Sequence, residues 1–252
     1  MVRHRQLADD LRSLGITPGT SLLVHSSLSS LGQVEGGAAT VVNALLDAVG
    51  PTGNLMFPTL TGQAHHSLER PPEFDSRNSP AWTGAIPEAA RRAPGALRSL
   101  HPTHSVVCFG PDSKWLTKGH LRSESPCDRQ SPYGRLADIG GRILFIGVGL
   151  QANTSFHHLE ELAEVPYVLQ EGKVAATLLD EKGRELSWKG RLHEWGYPRC
   201  YPLFEDELAT NHILHRGVVA QAHCLLVNAG AQRAYLLPRL LRDPNLFLAK
   251  ED

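Results

Sequence analysis

Residues 140–149, with the sequence GGRILFIGVG, are followed closely by residues 153–161, NTSFHHLEE. The first stretch is typical of a buried strand between glycine turns, and the second is typical of a helix with a polar cap. In open α/β sheets, functional groups gather where strands end and the next helices begin. The pattern therefore predicts an α/β fold and places His157 in the first turn of a helix at a candidate site.

Two carboxylates, Glu160 and Glu161, follow His157 at distances of three and four residues, which a helix places on the same face. Either carboxylate can orient the imidazole ring or hold a cation. Because a positioned histidine is the commonest general base, we interpret the group as a candidate catalytic pair. The alternative is a helix-capping histidine with solvent-facing glutamates. The preceding strand and glycine turn favour the site.

Composition restricts the classes of function. The chain has 252 residues, 41% of them hydrophobic, and a formal net charge of −1, which gives no general attraction to nucleic acid or anionic membranes. The sequence has no long apolar run and no apolar signal core near Met1. The four cysteines are far apart and form no Cys-x-x-Cys motif. We therefore expect a cytoplasmic protein with free thiols that binds neither nucleic acid nor membranes.

Alternating strand and helix patterns predict a mostly parallel central sheet flanked by helices. A strand over residues 21–25, a helix over 38–49 and a strand over 54–57 form one βαβ unit, whose strands should be parallel. Residues 173–188 contain two strand patterns around a glycine turn, which predicts an antiparallel hairpin insertion in the C-terminal third. We expect a single domain over residues 1–252.

The last part of the chain is predicted to contain three further elements. These are a helix over residues 204–214, a strand over 218–227 and a helix over 230–241. The segment before them, residues 190–204, is aromatic and contains proline, so we expect irregular structure there.

Several common site motifs are absent from the sequence. No phosphate-binding GxxxxGK[ST] loop, no GxGxxG and no GxSxG elbow occur, so nucleotide hydrolysis, dinucleotide redox chemistry and serine hydrolysis have no support. His157 with Glu160, and His212 with His215, supply too few ligands for zinc. We therefore expect no catalytic metal.

Polar loops supply further candidates. Residues 26–30, SSLSS, are either a solvated turn or a loop whose hydroxyl and backbone N–H groups hold an anion or an amide chain. Residues 98–105, RSLHPTHS, either lead into a strand or form the edge of a cleft in which Arg98 meets phosphate. Asp75 and Asp128 are either solvated acids or part of a pocket for a polycation.

Five motifs in a fixed order give the chain a family resemblance. They are VHSSLSSLG at 24–32, MFPT at 56–59, LRSLHPTHS at 97–105, SPYGRL at 131–136, and NTSFHHLE at 153–160. Together they resemble the aminoglycoside 3-N-acetyltransferase family of acetyl-CoA-dependent enzymes. The resemblance extends over residues 5–165 and resumes more weakly at 216–224, whereas the aromatic stretch 185–205 matches the family pattern poorly.

The resemblance implies a mostly parallel α/β fold with an antiparallel insertion, and a catalytic His157 partnered by Glu160. Thr154 is our candidate donor to the oxyanion of the reaction. The residues expected to bind coenzyme A are Ser26, Ser27, Leu28, Ser29, Ser30, Arg98, His104, Ser105 and Val106. The residues expected to bind the acceptor are Asp75, Asp128 and Glu161.

The expected reaction is acetyl transfer from acetyl-CoA to the 3-amino group of 2-deoxystreptamine in an aminoglycoside, which confers resistance to the antibiotic. The amine attacks the thioester directly while His157 removes its proton. Two alternatives remain open: the same chemistry on another amine, such as a biosynthetic intermediate, and a non-catalytic protein that binds coenzyme A. The expected partners are a small polyamine and coenzyme A, and the prediction allows a homodimer.

Overall fold

The computed structural model describes residues 1–249, so the last three residues of the predicted domain span, 250–252, lie outside the described part. The helices are α1 His4–Ser13, α2 Gly37–Val49, α3 Ala85–Arg92, α4 Ser113–Thr117, α5 Pro132–Asp138, α6 Thr154–Leu162, α7 Glu205–Thr210 and α8 Ala229–Arg242. The strands are β1 Ser21–Ser26, β2 Asn54–Pro58, β3 Phe74–Asp75, β4 Leu97–Arg98, β5 Val106–Phe109, β6 Arg142–Ile146, β7 Val174–Leu179, β8 Glu185–Gly190, β9 Leu214–Val219 and β10 Ala222–Asn228.

The central sheet has the strand order β4-β5-β2-β1-β6-β10-β9 within residues 1–249. Its middle strand, β1, pairs in parallel with β2 on one side and β6 on the other. The pairings farther out are antiparallel, so β5 and β10 run against the strands beside them. The predicted fold class, an α/β sheet with strands mostly in one direction, is confirmed, as is the predicted βαβ unit of β1, α2 and β2.

Helices cover both faces of this sheet, which explains why its middle strands are continuous apolar runs. Side chains of α1, α2 and α3 form one core with Leu22, Val24 and Leu144. Side chains of α4, α5, α6 and α8 form a second core with Leu23 and Phe145. Alternate residues of β1 and β6 therefore point to opposite layers, as the twofold side-chain period of a strand requires.

The predicted antiparallel hairpin is confirmed as β7 and β8, with β3 added in parallel to form a second, three-stranded sheet. Phe74, Leu178 and Trp188 are buried in its small core. The Trp188 indole Nε1 donates a hydrogen bond to the Ser123 carbonyl at 2.9 Å, and its ring packs against His101 at 4.9 Å between centroids. This sheet therefore anchors the polar loop that precedes α5.

The C-terminal part differs from the sequence prediction in two ways. The strand predicted over residues 218–227 is wrong, because β9 and β10 form a hairpin that turns between Val219 and Ala222. The turn has no glycine or asparagine; instead Ala220 adopts a positive φ of 51°, so the usual turn signal is absent. The helix predicted over 204–214 ends at Thr210, and His212 also has a positive φ.

The small sheet yields a stability prediction. We expect Trp188→Phe to lower the free energy of unfolding by about 1–3 kcal/mol, because the Ser123 carbonyl loses its buried donor. The matched control is Trp115→Phe, since Trp115 is 41% exposed and should change stability by no more than about 0.5 kcal/mol. Urea unfolding followed by circular dichroism measures both. Equal effects of the two substitutions would contradict the prediction.

Candidate active site

A cavity of about 570 Å³ opens where β1 and β2 end and α6 begins. This is the edge at which parallel strands of α/β sheets usually form ligand sites. The segment 193–201 contributes a further part of the cavity wall. The polar and aromatic side chains of its wall are His25, Ser26, Trp82, Thr83, His104, Gln151, Asn153, Thr154, His157, His193, Glu194, Trp195, Tyr197, Arg199 and Tyr201.

The turn between β6 and α6 places His157 in this cavity. Gly147 ends the strand with a positive φ of 62°, and a Cβ there would lie 1.9 Å from the Ser30 hydroxyl. Asn153 then caps the helix, because its side chain accepts a hydrogen bond from the Ser155 N–H at 3.0 Å. His157 follows as the fourth residue of α6 and projects from the first helical turn into the cavity wall.

His157 is held by a buried carboxylate. Its Nδ1 lies 2.7 Å from Oε2 of Glu160, which is fully buried, and Arg199 Nε donates to the other carboxylate oxygen at 3.0 Å. The Tyr201 hydroxyl lies 3.2 Å from the same imidazole nitrogen and hydrogen-bonds the carboxylate. The predicted pair of His157 and Glu160 is therefore brought together, with two further residues around it.

The charges in this group determine the histidine tautomer. Burial, the largest effect, raises the pKa of Glu160, but the hydrogen bond and charge of His157 and the charge of Arg199 together outweigh burial, so the pKa lies below its ordinary value. An ionised carboxylate only accepts hydrogen bonds, so Nδ1 of His157 carries the hydrogen. The Nε2 of His157 is then left with a lone pair that can accept a proton.

Three buried groups lie next to the pair. The His193 ring is 4.8 Å from the His157 ring, and the His104 ring is 4.5 Å from His193. Burial holds the pKa of both His104 and His193 well below the ordinary value, which favours the neutral form of both rings. Glu161 accepts hydrogen bonds from Ser125 Oγ and the Cys127 N–H, and burial raises its pKa to about 8.

Glu161 thus points away from the cavity, although it follows Glu160 directly. Its Oε1 lies 2.7 Å from Nε2 of His193, so the carboxyl group supports a residue of the wall rather than forming part of the wall. The structure does not bring this predicted acceptor-binding residue into the cavity.

The residues predicted to bind coenzyme A are only partly brought together. Ser26 and His104 line the cavity, and Ser26 Oγ is buried without a hydrogen-bond partner. Ser27 and Ser29 hydrogen-bond each other at 3.1 Å, and Ser30 Oγ donates to the Ser27 carbonyl, so these hydroxyls, like Leu28, serve the loop itself.

The other predicted coenzyme ligands belong to the framework of the protein. Val106 is a core residue of β5, and Ser105 Oγ donates to the Thr59 carbonyl at 2.7 Å. The Arg98 guanidinium donates to the carbonyl groups of Ser76, Ser79 and Thr59. Burial lowers the pKa of Arg98 to about 9, and this side chain lies outside the cavity wall.

Two of the carboxylates that were predicted to bind the acceptor accept hydrogen bonds within local turns. Asp75 accepts hydrogen bonds from the N–H groups of Arg77 and Asn78, and Asp128 accepts from Gln130 N–H at 2.7 Å. Aspartate commonly closes turns in this way, and these bonds are local. Neither residue lines the cavity. Within the described part of the chain, Glu194 is the carboxylate that does.

Sequence reasoning missed the residues contributed by the segment 193–201. Glu194, Arg199 and Tyr201 all lie in the aromatic stretch that matched the family pattern poorly. The one available signal was the stretch itself, because long irregular segments in compact domains are usually functional.

Gly147 yields a prediction about the turn that positions the site. We expect Gly147→Ala to destabilise the protein by about 1–3 kcal/mol more than Gly140→Ala. Gly140 has a similar φ of 64°, but a Cβ added there would meet nothing within 4 Å, so it isolates the backbone strain. Thermal unfolding of both variants measures the difference. The double variant Gly147→Ala with Ser30→Gly should recover most of the extra loss of stability, because the clashing side chain is removed. Equal destabilisation by Gly147→Ala and Gly140→Ala would contradict the prediction.

Comparison with known proteins identifies the family. A family model described as aminoglycoside 3-N-acetyltransferase matches residues 23–236. Aminoglycoside N(3)-acetyltransferase III of Acinetobacter baumannii is 33% identical over 257 aligned residues, covering 91% of this chain and 88% of that enzyme. Aminoglycoside N(3)-acetyltransferase VIII of Streptomyces fradiae is 37% identical over 180 residues, and that match spans 66% of this chain and 63% of the enzyme.

Solved structures with the same fold carry both kinds of ligand. A mutant of aminoglycoside acetyltransferase AAC(3)-IVa in complex with a gentamicin superposes with a TM-score of 0.83 at 30% identity, covering 98% of this chain and 92% of that one. AAC-IIIb in a binary complex with CoASH superposes with a TM-score of 0.79 at 26% identity, covering 100% and 99%. Because the family model spans most of the sequence and the Acinetobacter relative is similar over nearly its full length, this chain belongs to the aminoglycoside 3-N-acetyltransferase family of acyltransferases.

Proposed function

We propose that this protein transfers the acetyl group of acetyl-CoA to the 3-amino group of 2-deoxystreptamine in an aminoglycoside, with His157 as the general base. The observation that carries the proposal is the His157 ring in the cavity wall, tied through Nδ1 to a buried carboxylate. Family membership and the relatives with bound coenzyme A and gentamicin support the choice of the two substrates. Modification of the antibiotic would make the host resistant.

The chemistry follows from the protonation state of the amine. An amine on an aminoglycoside is mostly ammonium at neutral pH, and it must lose a proton before or while it attacks the thioester carbonyl. Nε2 of His157 accepts this proton, and Glu160 stabilises the imidazolium that forms, as a positioned carboxylate does in other acyl-transfer enzymes. Attack of the amine forms the carbon–nitrogen bond and turns the carbonyl oxygen into an oxyanion. The carbon–sulfur bond then breaks, and the imidazolium of His157 returns its proton to the departing coenzyme A thiolate. Of the two protons that the ammonium group loses on becoming an amide, one therefore ends on the thiol and the other passes to solvent.

Stabilisation of the oxyanion is assigned to the backbone rather than to a hydroxyl. The Thr154 hydroxyl hydrogen-bonds Tyr133, so it is already used within the protein. Thr154 is the first residue of α6, and its N–H has no partner within the helix. An N–H group at a helix N-terminus beside the cavity is a suitable donor to a developing negative charge.

For coenzyme A we propose a path along the ends of β1 and β2. Ser26 Oγ is a buried hydroxyl without a partner at this end of the cavity, and an amide of the pantetheine arm would satisfy it. His104 also lines the cavity. The other predicted coenzyme ligands make no direct contact in this proposal and instead shape the loop and the strands that carry these contacts. They are Ser27, Leu28, Ser29, Ser30, Arg98, Ser105 and Val106.

The acceptor is assigned to the opposite end, beside the segment 193–201. Glu194 supplies the carboxylate that attracts an ammonium group, and Trp195 and Tyr197 present half-exposed rings to the cavity. Rings of this kind pack well against the apolar faces of sugars. Because Asp75, Asp128 and Glu161 are used elsewhere, the cavity offers less negative charge than the sequence suggested. We therefore propose a narrow range of aminoglycosides, and an acceptor with few amines is the competing candidate.

Removal of the base tests the mechanism. We expect His157→Ala to lower kcat by about 10²–10⁴-fold, with acetyl-CoA binding retained, because only the proton acceptor is lost. Glu160→Gln should lower kcat less, since it leaves the ring but removes the negative charge beside it. Thiol release from acetyl-CoA with a panel of deoxystreptamine antibiotics measures turnover, and calorimetry measures acetyl-CoA binding. His215→Ala, on the exposed side of β9, is the control. If His157→Ala turned over at a rate near that of the wild type, His157 would not be the general base.

Removal of one negative charge from the cavity tests acceptor binding. We expect Glu194→Gln to raise the KM of the aminoglycoside several-fold, with the KM of acetyl-CoA unchanged, because one attractive charge leaves the cavity. Asp75→Asn is the matched control, since Asp75 lies outside the wall, and it should leave the aminoglycoside KM unchanged in the folded variant. Higher salt should weaken acceptor binding in the wild type and less in Glu194→Gln. Turnover with a monoamine but with no deoxystreptamine antibiotic would favour the competing acceptor.

A further inference from the structure

Three buried side chains from distant parts of the chain meet at the cavity wall. One ring nitrogen of His104, one ring nitrogen of His193 and the Sγ atom of Cys127 all lie within 4.8 Å of one another. His104 and His193 also line the cavity, so the group has one side towards it. No part of the proposed acetyl transfer uses Cys127.

Each of the two histidines is oriented by a polar group at one of its ring nitrogens. Nδ1 of His104 lies 2.9 Å from Thr103 Oγ1, and Nε2 of His193 lies 2.7 Å from Oε1 of Glu161. Among residues 1–249, no hydrogen bond engages the remaining nitrogens, Nε2 of His104 and Nδ1 of His193, or the Cys127 sulfur. Histidines that bind metals characteristically use a carboxylate or another polar group in this way to fix the ring.

One carboxyl group positions two members of the cluster. Glu161 contacts the His193 ring, and the same oxygen accepts the backbone N–H of Cys127 at 2.8 Å. The loop of Cys127 is held further by its carbonyl, which accepts a hydrogen bond from His158 Nδ1 at 2.7 Å. Glu161 and His158 therefore hold the backbone around Cys127, and Glu161 also orients the His193 ring.

We propose that His104, Cys127 and His193 form a binding site for one zinc-like cation, with Glu161 and Thr103 orienting the two imidazoles. Two nitrogens and one sulfur match the preferences of Zn²⁺, whereas Mg²⁺ and Ca²⁺ require oxygen ligands. Because His104 and His193 line the cavity, water that completes the coordination of the ion would enter from there. The sequence predicted no metal, because residues 104, 127 and 193 have no recognisable ligand spacing and only the fold brings them together.

Binding requires a modest contraction of the cluster and the loss of one proton. Zinc ligands lie about 2.0–2.3 Å from the ion, so ligand atoms separated by up to 4.8 Å must move closer together. Cys127 binds as the thiolate, and its proton passes to solvent.

Cobalt(II) provides a direct test, because a thiolate bound to cobalt gives a charge-transfer absorption in the near ultraviolet. The full chain, free of any histidine tag and treated with a chelator, is titrated with Co²⁺ alone and then with Zn²⁺. We expect the band to saturate at one Co²⁺ per chain and to disappear when Zn²⁺ displaces it. Surface histidines such as His65 and His66 cannot produce this band, since no thiolate is involved there.

Variants identify the ligands. Cys127→Ser should abolish the thiolate band, whereas Cys224→Ser, at another buried cysteine in β10, should retain it. Glu161→Gln should weaken Co²⁺ binding by about tenfold or more, as substitutions of supporting residues do in other metal sites. If Cys127→Ser does not fold by circular dichroism, His104→Gln takes its place and should lose the band. Absence of the band in the wild type, or a band unaffected by Cys127→Ser or His104→Gln, would overturn the proposal.

Discussion

The burial of the Glu160 carboxylate is the constraint on which the rest of the active site depends. A buried charge is tolerated only when it is paired and hydrogen-bonded. Here the pairing draws Arg199 and Tyr201 against α6 and, with them, the irregular segment that lines part of the cavity. The same carboxylate fixes the His157 tautomer. Catalytic geometry and the shape of the acceptor end therefore have a common origin.

The central sheet supplies the frame for this arrangement. Since β1 pairs in parallel with both β2 and β6, three strand ends meet at one edge, and the loops that follow them converge there. No membrane-spanning candidate occurs among the helices of residues 1–249, because none is both long and apolar enough. The apolar faces of the helices are buried in the two cores on either side of the sheet.

Local interactions are the ones that can be predicted from the sequence. His157 and Glu160 are three residues apart on a helix, so their contact follows from helical geometry alone. The hairpin β7–β8 follows from its glycine turn. The sequence does not show whether Asp75 and Asp128 accept hydrogen bonds within turns or bind a ligand, because an aspartate in a polar loop looks the same in either role. Arg199 binds Glu160 although the two are 39 residues apart, so no local sequence pattern predicts the contact. The turn between β9 and β10 contains no glycine, so it also lacks a local signal.

The position of β1 also has a consequence for synthesis of the chain. β1 and β2 leave the ribosome early and can pair, but the strand on the other side of β1 is β6, which follows only after residue 141. Until then one edge of an apolar strand has unpaired backbone groups, and exposed edges of this kind attract other strands. We therefore expect the nascent chain to be prone to aggregation in the interval between β2 and β6, while this edge of β1 is uncovered.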